Sequence, residues 1–269
     1  MQHLFSVWQK VLARIDEAKH ILLLCDFDGT LTPIVSRPEL AYIPEQTQKT
    51  LQKLAQSPEY TVGIVSGRSL DDLKDRVKVP GIIYAGNYGL EIESPEFSSV
   101  NPEADRSRKL LDNLYQELCL GLADINGVIL ENKRLTLSVH YRLINDKDCD
   151  RFNKTFEQII YTVSNEGKIE VTPGKKVYEI KPAISWHKGK ILEVLLGENT
   201  GGKGTTLPFF LGDDISDEAG FEAVDKYDGI SILVGEESSQ SKGMYYLISP
   251  TEVEEFLEML LSVRGYNNR

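Results

Sequence analysis

Asp26 and Asp28 follow a short apolar run, residues 21–25, whose length and composition are typical of a strand buried on both faces of a parallel sheet. Residues two apart on an extended chain point to the same side, at a strand end where open α/β sheets bind ligands. Paired carboxylates call for a neutralising cation, and Mg²⁺ is usual where a phosphate shares the site. Gly29 permits a sharp turn, and Thr30 offers a hydroxyl to an anion. A simple Asx turn is the alternative for this stretch alone.

Two further apolar runs also end in small or polar residues. Residues 60–65 lead into Ser66 and Gly67 before a predicted helix, which is the geometry of an anion site at a helix N-terminus. Helix capping by a serine explains this second turn equally well. The third run, residues 82–85, ends in the polar turn 86–89. The recurrence of such endings predicts a common functional edge of one sheet.

A cation and a second acidic group occur late in the chain. Lys188 stands at the start of a predicted helix, and Asp213, Asp214 and Asp217 follow a predicted strand, residues 207–211. Hydroxyl donors, a cation and several carboxylates make a suitable set for phosphoryl transfer, in which a carboxylate attacks while a metal and the lysine neutralise phosphate charge. Asp214 and Asp217 also fit a purely structural role as helix N-terminal charges. A glycine-rich polar loop is predicted for residues 198–204.

The order of predicted elements divides the chain. Residues 1–102 and 183–269 alternate strands with helices, which predicts an α/β core around a parallel sheet. Residues 103–182 instead predict helices and antiparallel hairpins, with tight turns at 132–133 and 173–174. In one of these strands Leu135, Leu137 and Val139 alternate with Thr136, Ser138 and His140. This alternation predicts a small inserted α+β unit whose sheet has one polar face.

Composition restricts the partners. The chain has 269 residues, a net charge of -11 and a pI of about 5.0, which argues against nucleic acid or an anionic membrane as a partner. An anionic substrate remains compatible with a locally cationic site. No apolar run approaches the length of a membrane span. We expect a monomer.

The N-terminus and the cysteines indicate the compartment. Apolar residues recur at helical spacing from Leu4 to Ile15, which predicts an amphipathic docking helix rather than a secretory or transit signal. Cys25, Cys119 and Cys149 are scattered and odd in number. They indicate a reducing compartment without a metal cluster, and we expect a cytoplasmic protein.

Four stretches resemble, in order, the motifs of the haloacid dehalogenase (HAD) superfamily of aspartate-nucleophile phosphatases. They are Asp26-Phe-Asp-Gly-Thr30, Val65-Ser-Gly67, Lys188-Gly189 and Gly212-Asp-Asp-Ile-Ser-Asp-Glu218. Over nearly its full length the chain further resembles the trehalose-6-phosphate phosphatase family. The supporting stretches are 26–35, 84–89, 131–133, 137–142, 174–182, 186–189 and 212–218.

The resemblance implies a fold and a mechanism. The fold is an HAD-like Rossmannoid parallel-sheet core, 1–102 and 183–269, with an inserted α+β cap for sugar recognition, 103–182. Asp26 would be the nucleophile that forms an aspartyl-phosphate, and Asp28 the general acid and then base. Mg²⁺ would be held by Asp26, the backbone carbonyl of Asp28 and Asp213.

The resemblance also implies supporting residues. Asp214 and Asp217 would support the metal ligands. The phosphate-binding residues would be Thr30, Ser66, Gly67 and Lys188. The sugar-binding residues would be Asn87, Tyr88, Glu131, Lys133, His140, Arg142 and Glu179. The charged cap residues fit solvated strand faces equally well, and His140 fits a structural hydrogen-bonding role. Two positions depart from the family pattern, because Tyr88 stands where the family usually has His and Lys181 where it often has Arg.

The first expectation for function is a Mg²⁺-dependent phosphatase that releases trehalose and phosphate from trehalose 6-phosphate. The alternatives are the same chemistry on sucrose, glucosylglycerol or mannosylglycerate phosphates, or a non-catalytic sugar-phosphate sensor. Asp28 argues against the sensor, because a binding module has no use for a second, proton-transferring carboxylate.

Overall fold

A computed structural model of the protein describes residues 1–35, 37–174, 176–199 and 206–265. The chain divides into two compact units. The core unit comprises Met1–Ser99 and Trp186–Arg269, and the cap unit comprises Val100–Ser185. The cap unit therefore begins at residue 100 and ends at 185, against 103 and 182 in the sequence-based division.

Both units contain strands and helices, numbered here in chain order. The strands are β1 (Gln2–His3), β2 (His20–Asp26), β3 (Tyr60–Val65), β4 (Ile83–Gly86), β5 (Glu91–Glu93), β6 (Ser98–Val100), β7 (Ile129–Asn132), β8 (Leu137–His140), β9 (Ile169–Pro173), β10 (Val177–Pro182), β11 (Thr206–Gly212), β12 (Ile230–Val234) and β13 (Tyr245–Leu247). The α-helices are α1 (Trp8–Glu17), α2 (Glu45–Gln56), α3 (Leu70–Val77), α4 (Pro102–Arg106), α5 (Arg108–Gly121), α6 (Cys149–Asn165), α7 (Lys190–Asn199), α8 (Glu218–Lys226) and α9 (Pro250–Gly265). Short 3-10 helices lie at Leu4–Val7, Pro38–Leu40, Asn87–Gly89, Asp146–Asp148 and Ile215–Asp217.

The larger sheet has the strand order β1-β13-β12-β11-β2-β3-β4-β5-β6 among the described residues. The pairings from β1 through β4 are parallel, and β5 joins β4 in the antiparallel direction. The prediction of a parallel-sheet α/β core is confirmed.

The strand β2 lies in the middle of this sheet and is covered on both faces. Ile21, Leu23 and Cys25 belong to one apolar cluster, whereas Leu22 and Leu24 belong to the cluster on the opposite face. This is the arrangement that the continuous apolar run predicted.

The parallel register aligns the strand ends that carry the polar turns. Asp26 pairs with Val65, and Val65 pairs with Ala85. On the other side, Leu211 pairs with Cys25, so that Asp213 follows beside Asp26. The predicted common edge is therefore present.

The N-terminal helix docks on the core, as predicted. Leu4, Val11 and Ile15 are fully buried in the main apolar cluster, and Trp8 packs edge-to-face on Phe256 of α9.

Of the helices in the described part of the chain, none combines the length and apolarity that crossing a membrane requires. The cysteines at positions 25, 119 and 149 are free thiols.

The cap unit contains a four-stranded antiparallel sheet in the order β7-β8-β10-β9. Leu137 and Val139 of β8 join the apolar cluster that also contains residues of α5 and α6, whereas Ser138 and His140 point to the other face. The predicted alternation is confirmed for residues 137–140, whereas residues 135 and 136 precede the strand.

The two strands of the first cap hairpin are shorter than predicted, and the connection between them is longer. Residues 133–136 connect β7 to β8, in place of a two-residue turn at 132–133. Asn132 Oδ1 accepts a hydrogen bond from the Arg134 N–H (2.8 Å), and Arg134 has a φ of 69°. The Asn132 side chain thus supports a turn in which the Lys133 N–H also donates to the Thr136 carbonyl at 3.0 Å. In the core unit, α7 runs through Asn199, and the remainder of the predicted loop, 200–204, lies outside the described residues.

Candidate active site

Lys188 joins Asp26 to Asp217. Its Nζ donates to Asp26 Oδ1 at 2.6 Å and to Asp217 Oδ1 at 2.7 Å. Asp26 ends β2, Lys188 lies two residues before α7, and Asp217 ends the last 3-10 helix. All three side chains are buried. Residues far apart in sequence therefore form one charged group at the predicted sheet edge.

The charges of this group are strongly coupled. Burial acts to lower the pKa of Lys188, but the carboxylates of Asp217 and Asp26 outweigh it and hold the pKa well above its usual range. Burial raises the pKa of Asp26, and Lys188 opposes this rise while Asp217 and Asp213 reinforce it. Burial also raises the pKa of Asp217 to about 6, against the attraction of Lys188. Three carboxylates around one ammonium leave an excess of negative charge, which favours a further cation.

Asp26, Asp213 and Asp217 each offer one carboxylate oxygen, and these oxygens lie within 4.8 Å of one another. Such hard oxygen donors fit Mg²⁺. Asp217 also accepts from the N–H groups of Asp213 (3.1 Å) and Asp214 (3.2 Å), which shapes the turn after β11. Asp214 Oδ1 in turn accepts from the backbone N–H of Ser216 at 2.8 Å. The sequence placed Asp217 beside the metal ligands; the structure brings it within the cluster itself.

Gly29 provides the space for Asp213. Its φ is +92°, and a Cβ at this position would lie 2.2 Å from Asp213 Oδ2. Both the backbone conformation and the close approach therefore require glycine. The first and last acidic stretches of the sequence are in this way fitted against each other.

Asp28 is held by an arginine that we did not single out from the sequence. Arg68 Nε donates to Asp28 Oδ2 and Arg68 Nη2 to Asp28 Oδ1, each at 2.7 Å. Arg68 Nη1 also donates to Asp72 Oδ2 at 2.7 Å, and Arg76 donates to the same carboxylate. The signal in the sequence was a cation directly after Ser66 and Gly67, at a strand end facing two acids.

The expected phosphate-binding residues lie at the same edge. Ser66 is buried, and its Oγ accepts from the Arg68 N–H at 3.2 Å. A Cβ on Gly67 would lie 2.6 Å from Tyr88 Cζ, so the tyrosine ring covers this glycine. Thr30 is fully buried, and its Oγ1 has no hydrogen-bond partner within the described ranges. A buried hydroxyl without a partner suits a site that is completed by a ligand.

The turn after β4 connects the phosphate loop to the segment before Lys188. Asn87 and Tyr88 adopt left-handed conformations, with φ of 50° and 62°. The Tyr88 N–H donates to Ser66 O (2.8 Å), and the Tyr88 carbonyl accepts from Trp186 Nε1 (3.1 Å). The Asn87 amide is buried and donates to Glu91 Oε2 at 3.2 Å. Strained backbone of this kind is typical of functional sites, and Trp186 is a second contact that sequence reasoning missed.

The cap unit gathers most of the predicted sugar-binding residues on its polar face. Lys133 Nζ lies 3.3 Å from Glu179 Oε2 and 4.0 Å from Glu131 Oε2. His140 Nε2 lies 3.3 Å from the same Glu131 oxygen. Arg142 is exposed in the turn after β8. The cluster thus contains carboxylate acceptors and an ammonium donor, which are suitable groups for binding hydroxyls.

Known proteins resemble this chain over most of its length. The model of the trehalose-phosphatase family matches residues 24–252. The chain is 34% identical over 271 residues to probable trehalose-phosphate phosphatase D of Arabidopsis thaliana, covering 94% of this chain and 72% of that protein. It is 31% identical over 264 residues to trehalose 6-phosphate phosphatase RA3 of Zea mays, covering 93% and 72%.

Solved structures give the same picture of the fold. The C-terminal domain of C. albicans trehalose-6-phosphate phosphatase superposes with a TM-score of 0.78 at 24% identity, covering 94% of this chain and 96% of that one. A haloacid dehalogenase-like hydrolase from Bacteroides thetaiotaomicron superposes with a TM-score of 0.62 at 17% identity, covering 90% and 100%.

The chain has the fold of these HAD-like structures, with an acidic cluster at one edge of its larger sheet. The matches over most of the chain are more specific. The chain belongs to the trehalose-phosphatase family, whose members are phosphoric monoester hydrolases.

Proposed function

We propose that this protein hydrolyses trehalose 6-phosphate to trehalose and inorganic phosphate, with Mg²⁺, through an aspartyl-phosphate on Asp26. The buried contact between Lys188 Nζ and Asp26 Oδ1, 2.6 Å long, carries this proposal. It fixes a carboxylate and a phosphate-binding cation side by side at the end of a rigid strand. The names of the matched relatives support the sugar phosphate.

The first step transfers the phosphoryl group to the protein. An Asp26 carboxylate oxygen attacks phosphorus, the bond from phosphorus to the sugar oxygen breaks, and Asp28 gives its proton to that oxygen. Lys188 and Ser66 bind the phosphoryl oxygens. Asp26, Asp213 and the backbone carbonyl of Asp28 would hold Mg²⁺, which supplies neutralisation of phosphate charge.

The second step regenerates the carboxylate. Asp28 takes a proton from a water molecule as that water attacks phosphorus, and the bond from phosphorus to Asp26 breaks. Inorganic phosphate leaves, and Asp28 is again protonated for the next cycle. Arg68 occupies one site on each Asp28 oxygen, and a carboxylate has about four such sites, so Asp28 can carry the transferred proton at a remaining site while Arg68 fixes its orientation.

The test is phosphate release from a substrate panel. The panel contains trehalose 6-phosphate, sucrose, glucosylglycerol and mannosylglycerate phosphates, glucose 6-phosphate and an aryl phosphate. We expect the highest kcat/KM on trehalose 6-phosphate and loss of essentially all turnover in Asp26→Asn, because an amide is a poor nucleophile. A higher kcat/KM on another member of the panel would replace the proposed substrate, and turnover near the wild-type level in Asp26→Asn would overturn the mechanism.

Two further measurements address the metal and the intermediate. Chelation followed by dialysis should abolish turnover, Mg²⁺ should restore it, and Ca²⁺ should substitute poorly because its coordination shell is larger and looser. Mass spectrometry of acid-quenched Asp28→Asn should find a phosphoryl group on the peptide that contains Asp26. Full activity in excess chelator would contradict the role of the metal.

The proposal includes a monomeric protein in the cytoplasm, which rests on composition and cysteine spacing. Size-exclusion chromatography with light scattering tests the monomer.

A further inference from the structure

The polar face of the cap sheet places Ser138 between two glutamates. Ser138 on β8 pairs with Glu131 on β7 and with Glu179 on β10. Residues directly opposite one another on neighbouring strands point to the same face. The three side chains therefore form one row across the sheet, with the serine at its centre.

Ser138 and Lys133 divide the Glu179 carboxylate between them. The Ser138 hydroxyl donates to Glu179 Oε1 at 2.8 Å, and Lys133 Nζ donates to Glu179 Oε2 at 3.3 Å. Ser138 is fully buried, whereas the Glu179 side chain keeps 16% of its surface exposed. A buried serine thus holds one oxygen of the carboxylate, while part of the glutamate side chain stays exposed.

We propose that Ser138 is a positioning residue for sugar selection, acting through Glu179. An ionised carboxylate has about four lone-pair sites, and Ser138 and Lys133 occupy one on each oxygen. The remaining sites are held in a fixed direction and accept hydrogen bonds from hydroxyls of the uncharged part of a sugar phosphate. The inference rests on the proposed function in so far as it takes the substrate to be a sugar phosphate.

The reason for assigning this role to the hydroxyl is its burial. When the hydroxyl is removed, Glu179 Oε1 loses the donor that the fully buried Ser138 side chain supplies. The carboxylate then turns so that both oxygens face Lys133, since the ammonium is the remaining strong donor beside it. Lys133 is drawn toward Glu179 and away from Glu131, and the acceptor directions of both glutamates change.

The principal variant is Ser138→Ala, measured on trehalose 6-phosphate and on an aryl phosphate that lacks the sugar. We expect kcat/KM on the sugar phosphate to fall about tenfold, the effect of losing one hydrogen bond to a charged group. The aryl phosphate should change less than twofold, because the substitution leaves the core unit untouched. Ser138→Thr retains a hydroxyl and should recover most of the loss, whereas Ser138→Cys, with a weak donor, should not.

Two controls separate positioning from folding. Thr172 on β9 pairs with Glu179 and carries an exposed hydroxyl. Thr172→Ala should therefore leave kcat/KM on both substrates unchanged. In a Glu179→Gln background, Ser138→Ala should cause no further loss, because the residue through which it acts has already been changed. If Ser138→Ala lowers kcat/KM by a further tenfold in the Glu179→Gln background, the proposal is overturned.

The outcome is informative whichever substrate is correct. If the wild-type protein prefers another sugar phosphate, the proposed substrate fails, and the same cycle on the preferred sugar phosphate still decides the role of Ser138. Equal losses on the sugar and aryl phosphates in Ser138→Ala mean a structural role and overturn the inference. If the wild-type protein cleaves the aryl phosphate and cleaves no sugar phosphate faster than it, both proposals are overturned.

Discussion

Arg68 binds both carboxylate oxygens of Asp28, with two distances of 2.7 Å, although the residues are 40 positions apart. The guanidinium also donates to Asp72 Oδ2 and to the Pro38 carbonyl, and it lies 5.3 Å above the ring of Phe27. Bidentate pairing fixes the orientation of the carboxylate as well as its charge. The residue proposed to transfer protons is thus positioned by the helix and loop on either side of it.

Replacement of Arg68 by glutamine should affect substrates according to their leaving groups. A sugar alkoxide needs a proton from Asp28 and an activated aryl oxide does not, so kcat on a sugar phosphate should fall about tenfold or more while kcat on the aryl phosphate falls much less. Steady-state phosphate release measures both. Arg76→Gln is the control, because Arg76 also binds Asp72 but is not placed on Asp28. Equal losses on the two substrates in Arg68→Gln would show a general structural effect instead.

Replacement of Lys188 by methionine should both inactivate and destabilise the protein. It leaves Asp26 and Asp217 buried without their shared cation, at a cost of about 3–5 kcal/mol in the free energy of unfolding. Adding Asp217→Asn removes one of the two unpaired charges and should restore part of the stability but none of the turnover. Urea unfolding and phosphate release measure the two effects. A double variant less stable than Lys188→Met would contradict this account.

Replacement of Gly29 by alanine should raise the Mg²⁺ concentration that half-restores activity after chelation. The new Cβ would overlap Asp213 and displace that ligand. Gly81→Ala is a matched control: its φ is +80°, and a Cβ there meets nothing within 4 Å. Both variants should lose at least about 1 kcal/mol of stability from backbone strain, and Gly29→Ala should lose more because of the overlap with Asp213. Only Gly29→Ala should change the metal requirement. An unchanged Mg²⁺ titration in Gly29→Ala would exclude Asp213 as a ligand.

Asp72 should contribute to stability at neutral pH and lose that contribution in acid. Burial acts to raise its pKa, but hydrogen bonds from Arg76 and Arg68 outweigh burial and hold the pKa below its usual range. A carboxyl group whose pKa is lower in the folded protein stabilises the fold above its unfolded pKa, near 4, and ceases to do so as pH falls through the folded value.

The measurement is the free energy of unfolding of wild type and Asp72→Asn between pH 7 and pH 3. The difference between the two proteins should be largest at pH 7 and shrink below about pH 4. Asp71→Asn, an exposed acid in the same helical turn, serves as the control. A difference that stays constant across this range would show that the ion pairs do not stabilise the fold.

Local patterns in the sequence determined the core strand, the polar turns and the polar face of the cap sheet. The apolar run before Asp26 is continuous because β2 is covered on both faces, and residues 137–140 alternate because only one face of β8 joins the apolar cluster of the cap unit. The turn between β7 and β8 was misjudged, since residues 133–136 form it, with an added hydrogen bond from the Arg134 N–H to the Asn132 side chain. The placement of Asp26, Lys188 and Asp217 at one edge followed from counting strand ends and from the family resemblance.

The tertiary structure alone decided which partners the charged side chains have. Nothing in the local sequence distinguishes Arg68 bound to Asp28 from Arg68 exposed to solvent, and nothing there assigns Ser138 to Glu179. Both contacts depend on long-range register, which brings strands and loops together to within hydrogen-bond distance. Sequence periodicity reports which face of an element is buried, whereas the identity of a hydrogen-bond partner depends on the position of another element of the fold.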